Sequence, residues 1–309
     1  MPSFSSPQPD PSVLGGVAKA PFAIAPLPGR LFAERAARFV ALAQGNPLGP
    51  YLRFLGDLSH LQDRIVAGTE APAPLAEEQV ARARAGEMPP LDSDSIKLAM
   101  LRLFEPFRDG AAALAMPAPA SAALAEVSAA SPEALGAMAD AIMAAAVPPE
   151  RLAQHLFVAA ALEIGACRLA ASLDGARLVP VGVGVCPACG GRPLASLVVG
   201  FQGAEGARYA VCSLCSTRWN EVRVKCLACG STKGISYHAA TAGETTDEAE
   251  ATVKAEACST CGSWLKILYQ NKNPSLDVVA DDVASLGLDM LMRETDYRRA
   301  GFAPFLLGY

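Results

Sequence analysis

Four pairs of cysteines decide the fold of this chain: Cys186-Pro-Ala-Cys189, Cys212-Ser-Leu-Cys215, Cys226-Leu-Ala-Cys229 and Cys258-Ser-Thr-Cys261. Two cysteines with two residues between them close a tight turn in which both thiolates face one point. Two such turns supply the four sulfurs of a tetrahedral metal site. Eight of the nine cysteines in the 309 residues lie in these pairs. The sequence therefore predicts metal binding in this stretch.

The spacing between the pairs predicts how they combine into sites. There are 22 residues between the first and second pairs and 28 between the third and fourth, and either segment can form a hairpin. The ten residues between the second and third pairs are better suited to one connecting strand. We therefore predict two consecutive four-thiolate sites, while an interleaved arrangement of first pair with third stays open. The predicted ligands are Cys186, Cys189, Cys212 and Cys215 for the first site, and Cys226, Cys229, Cys258 and Cys261 for the second.

The residues that follow the pairs support this interpretation. A glycine follows three of them and can adopt positive φ, so we expect its N–H to point back at a thiolate. These glycines are Gly190, Gly230 and Gly262. Ser216 follows the second pair and predicts a less regular turn there. Trp219 and Trp264 come soon after their pairs and are expected to cover the sites against water.

The ligand chemistry alone leaves the metal open. Four thiolates suit zinc or a single iron ion, and ligand softness does not separate the two. Two structural zinc ions would hold small domains that lack a large core. Disulfides are less favoured, because residues 1–26 show no basic region and no long apolar core of a secretory signal.

The first half of the chain predicts an all-α domain. Hydrophobic residues make up 51% of the chain while aromatic residues make up only 6%, a composition that suits closely packed helices. Apolar residues recur at three- and four-residue steps in seven segments. These segments are 31–43, 50–66, 75–86, 93–108, 119–128, 132–146 and 149–173. The last contains His155, Glu163 and Arg168, so we predict a buried helix and no membrane insertion.

The predicted units follow from these patterns. They are a flexible N-terminal arm at 1–26, a helical domain at 27–178, metal modules at 185–225 and 226–272, and a C-terminal helix and tail at 276–309. Strands are predicted at 194–201, 207–212, 219–225 and 264–270, and one helix at 278–293. Residues 241–250 are expected to form a mobile acidic loop.

Charge and motifs disfavour two classes of function. The formal net charge is −5, and between residues 181 and 273 nine Lys and Arg face seven Asp and Glu. A divalent ion on four thiolates adds −2 at each site, which leaves this region near −2 and poorly suited to nucleic acid. A closed four-thiolate site cannot activate water, and we find no phosphate-binding loop or nucleophile elbow. We expect no enzyme, and neither His238 nor Cys167 is expected to be a ligand.

The residues around the cysteines resemble the FdhE-type formate dehydrogenase accessory proteins, from about residue 28 to the C-terminus. The matching motifs in the helical half are Asn46-Pro47-Leu48-Gly49 and Tyr51-Leu52-Arg53-Phe54. Those in the cysteine region are Cys186-Pro187-x-Cys189-Gly190, Arg208-Tyr209 before Cys212-x-Leu214-Cys215, Trp219 and Val222-Arg223-Val224-Lys225-Cys226. Leu265-Lys266-Ile267-Leu268-Tyr269-Gln270 and Val279-Ala280-Asp281-Asp282-Val283-Ala284-Ser285-Leu286 complete the set.

The resemblance implies a fold class, α+β. An N-terminal all-α helical domain precedes two small rubredoxin-like or zinc-ribbon-like four-cysteine metal modules and a C-terminal helix. The resemblance also implies a function. The chain would be a cytoplasmic, non-catalytic assembly factor that binds the catalytic subunit of a respiratory molybdenum formate dehydrogenase. Each module would hold one mononuclear iron ion, with zinc as the alternative metal.

Two other functions stay open at this stage. One is a rubredoxin-like electron carrier, which requires iron that cycles between two oxidation states. The other is a zinc-ribbon protein whose structural zinc supports binding to nucleic acid or to another protein. The sequence also leaves open whether the chain forms a homodimer.

Overall fold

The computed structural model of the chain describes residues 20–201, 203–240 and 250–306. Within these ranges a helical half is followed by a β-sheet that carries both groups of four cysteines, and then by two short helices. This is the α+β class that the sequence predicts. Most of the predicted N-terminal arm and of the predicted acidic loop lies outside the described residues. Residues 23 and 24, which we expected in the arm, form a strand.

Seven α-helices form the first half within the described residues. They are α1 (Pro28–Leu42), α2 (Gly49–Gly68), α3 (Glu77–Ala85), α4 (Ser93–Ala112), α5 (Ala118–Ser128), α6 (Pro132–Met143) and α7 (Leu152–Ala171). Several begin with the expected signals. The Asp92 carboxylate accepts a hydrogen bond from the Ser95 N–H at the start of α4, and Ser131 does the same for Ala134 at the start of α6. Helices α4 and α6 thus begin where a side chain satisfies one of the free N–H groups.

Helix α7 is the central helix of this half. It packs against α4, α5 and α6, and residues Val158 to Cys167 are buried without interruption. Residues Pro149–Ala171 are long and apolar enough, by length and composition alone, to cross a membrane, and 67% of the most apolar window is buried inside the protein. That burial is what we predicted for a core helix. Its one buried acid, Glu163, accepts hydrogen bonds from Arg35 and Gln62.

The second half is built on one sheet. Its strands are β1 (Ala23–Ile24), β2 (Pro193–Val198), β3 (Arg208–Cys212), β4 (Arg218–Glu221), β5 (Ile235–His238), β6 (Val253–Cys258), β7 (Ser263–Tyr269) and β8 (Arg298–Arg299). The order across the sheet is β1-β4-β3-β2-β7-β6-β5, and β8 pairs with β7. The first module supplies β2 to β4 and the second supplies β5 to β7, so the two modules meet side by side. Their junction is the parallel pairing of Ser196 with Ile267 and of Val198 with Tyr269.

A buried ion pair strengthens this junction between modules. Arg208 on β3 donates to the carboxylate of Glu256 on β6 at 2.8 Å, and both side chains are almost fully buried. The same guanidinium donates to the Ser196 hydroxyl and to the carbonyl of Lys225. Arg208 therefore connects both modules and the segment between them.

The predicted C-terminal helix is two helices, α8 (Val278–Ala284) and α9 (Leu286–Arg293), with a break at Ser285. The break has a clear cause. The buried ammonium group of Lys266 donates to the carbonyl oxygens of Asp282 and Ser285. Its charge is balanced by the carboxylates of Asp282 and Asp289, which also bind Arg299. A strand residue thus binds two backbone carbonyl groups at the break between the helices.

Helix α8 joins the two halves of the protein. Arg38 of α1 makes a two-pronged ion pair with Asp281, with N–O distances of 2.9 and 2.6 Å. The Asn46 amide donates to the carbonyl of Ala284, and the Tyr51 hydroxyl donates to the carbonyl of Phe305. Asn46, Tyr51 and Asp281 all belong to the motifs that carry the family resemblance. Their role in the structure is to fix the C-terminal region on the helical half.

The segment 298–306 lies between the starts of β2 and β7. The N–H groups of Arg298 and Ala300 donate to the carbonyls of Gly262 and Trp264, and the Phe302 N–H donates to that of Pro193. At Gly301 an added Cβ would lie 2.7 Å from the Leu194 carbonyl oxygen, so only glycine fits there. This segment contacts the second module, the first module and, through Phe305, helix α2.

The close contact between α7 and α4 predicts the effect of one substitution. A Cβ at Gly165 of α7 would lie 2.9 Å from the backbone nitrogen of Met100 in α4. Gly165→Ala should therefore lower the free energy of unfolding by about 1–3 kcal/mol through overpacking. Urea denaturation followed by circular dichroism measures this change. The control is Gly136→Ala in α6, where no atom lies within 4 Å and alanine should stabilise the helix by about 1 kcal/mol. Equal stability of the two variants would contradict this packing.

Candidate metal centres

The first group of sulfurs is formed by Cys186, Cys189, Cys212 and Cys215. All four sulfurs lie within 4.8 Å of one another. The Sγ–Sγ distances are 3.6 Å between Cys186 and Cys215, 3.5 Å between Cys189 and Cys212, and 3.4 Å between Cys189 and Cys215. One pair lies before β2 and the other directly follows β3, so the antiparallel β2–β3 pairing brings them together.

The second group repeats this arrangement with Cys226, Cys229, Cys258 and Cys261. The Sγ–Sγ distance is 3.7 Å between Cys226 and Cys261 and 3.8 Å between Cys229 and Cys258. Here the β5–β6 hairpin brings the two pairs together. The sulfurs are grouped as the consecutive pairing predicts, and the interleaved alternative is not what the structure shows.

The same backbone turn positions the cysteines in each pair. The first cysteine N–H donates to the carbonyl five residues later, from Cys186 to Gly191, from Cys212 to Thr217 and from Cys226 to Ser231. The glycines after the pairs have positive φ, as predicted. Their N–H groups, however, donate to the carbonyl of the first cysteine and not to a thiolate. Our expectation of glycine N–H to sulfur bonds was wrong, because the turn directs that N–H along the backbone.

Other donors reach the sulfurs instead. The N–H groups of Leu214 and Cys215 lie 3.4 and 3.5 Å from the Cys212 sulfur. Two hydroxyl groups also contact sulfurs, Thr217 with Cys215 at 3.2 Å and Ser263 with Cys261 at 2.8 Å. Sequence reasoning missed both hydroxyls, although each lies two residues after the second cysteine of a pair, and that shared position is the signal that could have found them.

Crowding and burial shift the acidity of the thiols in the first group. Burial raises the pKa of Cys186 well above its ordinary value, and hydrogen bonds with the neighbouring thiols raise the pKa of Cys189. Burial also acts to raise the pKa of Cys215. Hydrogen bonds from the other three thiols and from Thr217 outweigh it and hold that pKa well below its ordinary value. One thiolate is therefore favoured among four close thiols.

In the second group, too, the pKa of one thiol is raised and that of another is lowered. A backbone hydrogen bond of Ser231 acts to lower the pKa of Cys229, but desolvation and the neighbouring thiols raise it to about 12. Desolvation acts to raise the pKa of Cys261, but hydrogen bonds from Ser263 and Cys229 lower it to about 7. Four thiolates this close repel one another unless a cation neutralises them. A metal ion would supply that charge and release the remaining protons.

The donor set fits a tetrahedral metal ion. A metal–sulfur bond of about 2.3 Å places the sulfurs of a regular tetrahedron about 3.8 Å apart. The distances in the second group match this value, and those in the first are slightly shorter. Both groups could therefore bind a metal ion. The spacing does not distinguish zinc from iron, since softness and geometry suit both.

The two groups differ in their exposure to solvent. Cys186, Cys212 and Cys215 are buried, and Cys189 is partly buried. In the second group Cys229 and Cys261 are exposed. We expected Trp264 to cover this group against water, and that expectation was wrong. The Trp264 ring is buried in the sheet with the Arg299 guanidinium over one face, so it leaves the two sulfurs open.

Two residues that we expected to lie outside the sites do so. The His238 ring contacts the Ser236 hydroxyl at 3.0 Å and belongs to neither sulfur group. Cys167 is fully buried on α7, and burial raises the pKa of its thiol well above the ordinary value. It behaves as a small core residue.

Fold and site together define a protein with a helical half and two four-cysteine groups in one shared sheet. Three models of one family match the chain in succession: FdhE, N-terminal, at residues 20–183; FdhE, central domain, at 185–223; and FdhE, C-terminal domain, at 224–306. Since these ranges cover most of its length, the chain belongs to the FdhE family.

Individual relatives agree with this assignment. The chain is 60% identical over 309 residues to the protein FdhE homolog of Rhizobium meliloti (strain 1021), which covers 99% of this chain and all of that protein. It is 33% identical to protein FdhE of Escherichia coli O9:H4 (strain HS), over 89% of this chain and 88% of that protein. Its structure resembles the crystal structure of FdhE from Pseudomonas aeruginosa, with a TM-score of 0.79, 32% identity, and coverage of 94% of this chain and 99% of that one.

The irregular second pair allows a test of the turn geometry. Ser216 has φ of +58°, where the equivalent residue of each other pair is glycine. Ser216→Gly should therefore raise the free energy of unfolding by about 1 kcal/mol by removing this strain. Gly262→Ala, with φ of +68° and no atom within 4 Å, should lower it by a similar amount. Urea denaturation of the metal-loaded protein measures both, and a stabilised Gly262→Ala variant would refute the explanation.

Proposed function

We propose that this chain is a non-catalytic assembly factor for formate dehydrogenase. It acts in the cytoplasm, where it binds the catalytic subunit of a respiratory molybdenum formate dehydrogenase before export. The observation that supports this most is membership of the FdhE family along nearly the whole chain, together with two preformed four-sulfur groups. The motifs named above are those of formate dehydrogenase accessory proteins.

The chemistry of the sites supports a role in binding more than a role in catalysis. A metal ion held by four cysteines has no open position for water or substrate. The eight cysteines Cys186, Cys189, Cys212, Cys215, Cys226, Cys229, Cys258 and Cys261 are the proposed ligands. Because a preformed site is rare in an unfolded chain, metal binding contributes directly to folding of the modules. The metal ions would thus give the client-binding protein its shape.

We propose iron as the metal, one mononuclear ion at each site, with zinc as the alternative. The resemblance to the FdhE-type family, whose cysteine region is rubredoxin-like and iron-binding, favours iron, while the sulfur spacing suits either ion. Anaerobic purification followed by metal analysis and a visible spectrum separates the two. If the metal is iron, the analysis should find two iron ions per chain, and the spectrum should show thiolate-to-Fe(III) charge-transfer bands after oxidation. Two zinc ions without colour would make both modules purely structural.

A second candidate function is favoured by one observation. Cys229 and Cys261 are exposed, so an iron ion bound there would lie near the surface and could exchange electrons with a partner. A rubredoxin-like electron carrier requires reversible Fe(III)/Fe(II) cycling, whereas the assembly role does not. The carrier function is tested by reducing the protein with dithionite and reoxidising it while the visible absorption bands are monitored.

Size-exclusion chromatography of the same sample establishes whether the chain is a homodimer.

The assembly role predicts a defined effect of losing one ligand. Cys226→Ser should leave the second module without a complete metal site, because serine cannot replace the thiolate. We therefore expect about one metal ion fewer per chain. The variant should also lose most binding to the catalytic subunit in a pull-down, and formate dehydrogenase activity should fall in a strain that lacks its own FdhE.

Cys167→Ser is the matched control, since Cys167 is a cysteine outside both groups. It should keep both metal ions, client binding and enzyme activity. Full client binding and full formate dehydrogenase activity with Cys226→Ser would refute the functional part of the proposal, whatever metal the protein contains.

A further inference from the structure

The two sulfur groups are held by very different surroundings. Cys186, Cys212 and Cys215 belong to the main hydrophobic core, which continues into the helical half. The Leu91 N–H donates to the carbonyl of Ala188, inside the first cysteine pair, and so attaches that turn to the helices. Solvent approaches Cys189 through a cavity of about 180 Å³, whose walls include Ile142 of α6 and Phe302 of the C-terminal segment.

The second group has no such cover in the part of the chain that the structure describes. None of its four cysteines belongs to the main core. Cys226 and Cys258 are only 5% and 1% exposed, whereas Cys229 and Cys261 are exposed to solvent. The edge of the tetrahedron between Cys229 and Cys261 therefore faces solvent. The Ser263 hydroxyl, 2.8 Å from the Cys261 sulfur, can donate to that sulfur as a free thiolate.

We propose that the second site exchanges its metal ion directly with small external thiols, while the first site retains its ion. This inference rests on the proposed function only in that both sites hold a metal. A thiolate of the small thiol bonds to the ion at the Cys229–Cys261 edge, and the bond from Cys229 or Cys261 to the ion breaks. The leaving cysteine takes up the proton that the incoming thiol released. No electron is transferred, and repetition at the remaining ligands moves the ion to the thiol.

Ligand-exchange kinetics on the full chain test this directly. The protein is loaded with two zinc ions and mixed with glutathione in the presence of a chromogenic zinc chelator. We expect one zinc ion per chain to be released about tenfold or more faster than the other. The fast rate should rise in proportion to the glutathione concentration, because the thiol takes part in the step. A fast rate independent of glutathione, or equal release of both ions, would overturn the inference.

Thiol labelling identifies the site that is emptied first. After the fast phase, N-ethylmaleimide should modify Cys226, Cys229, Cys258 and Cys261, and tandem mass spectrometry should find Cys186, Cys189, Cys212 and Cys215 protected. First labelling in the latter group would contradict the proposal. This measurement uses the unaltered chain, so it stands even where a variant fails to fold.

Two matched variants extend the test. Cys229→Ser and Cys189→Ser each remove the most accessible ligand of one site. The first should abolish the fast phase and keep the slow one, and the second should do the opposite. Cys167→Ser should behave as the wild type. Fewer than two zinc ions bound by the wild-type protein on loading would overturn the two-site proposal itself, whereas two ions released from the wild type at one rate would overturn this inference alone.

Discussion

Four cysteine sulfurs within 4.8 Å of one another form an arrangement that is unfavourable without a cation. The structure makes this arrangement twice, and the rest of the second half is organised around it. Each group lies where a hairpin brings two C-x-x-C turns together, and the strands between the turns form the shared sheet. The shifts in thiol pKa reflect the same constraint. In the first group the pKa of Cys215 is lowered while that of Cys189 is raised, and in the second group the pKa of Cys261 is lowered while that of Cys229 is raised. The close sulfurs of each group thus need the positive charge of a metal ion, and the fold of the modules depends on that ion.

Buried charges outside the sulfur groups determine how the parts fit together. Arg35 binds Glu163, Arg38 binds Asp281, and Lys266 lies between Asp282 and Asp289, each pair joining segments far apart in the chain. Replacing a buried ion pair by apolar residues often costs little stability. The contribution of these ion pairs therefore lies in specifying a single packing arrangement of the segments that they join. A hydrophobic interface would tolerate sliding of α8 on α1. A two-pronged ion pair between Arg38 and Asp281 does not.

The sequence predicts those features that local rules control. The cysteine pairs, the helix start at Ser93 and the strands near Trp219 and Trp264 follow from spacing, capping and β-propensity. A hairpin between the third and fourth pairs was considered, but its strands β5 and β6 were not located. For β6 the reason is that Val253-Lys-Ala-Glu-Ala-Cys258 is rich in residues that are uncommon in strands. The break at Ser285 lies where Lys266, 19 residues away in sequence, binds the Ser285 carbonyl, so no local pattern within the helix predicted at 278–293 indicates it. The difference in exposure of the two sulfur groups depends on how the helical half covers the first one, which no local pattern contains.

The position of residues 298–306 has a consequence for biosynthesis. This segment connects the start of β7, the start of β2 and helix α2, yet the ribosome adds it after all of those elements. Both cysteine groups and the helical half can therefore form on the nascent chain before this segment is available to bind them. Metal loading of the modules can therefore precede the docking of this segment, which places Gly301 beside two strands that are synthesised before it.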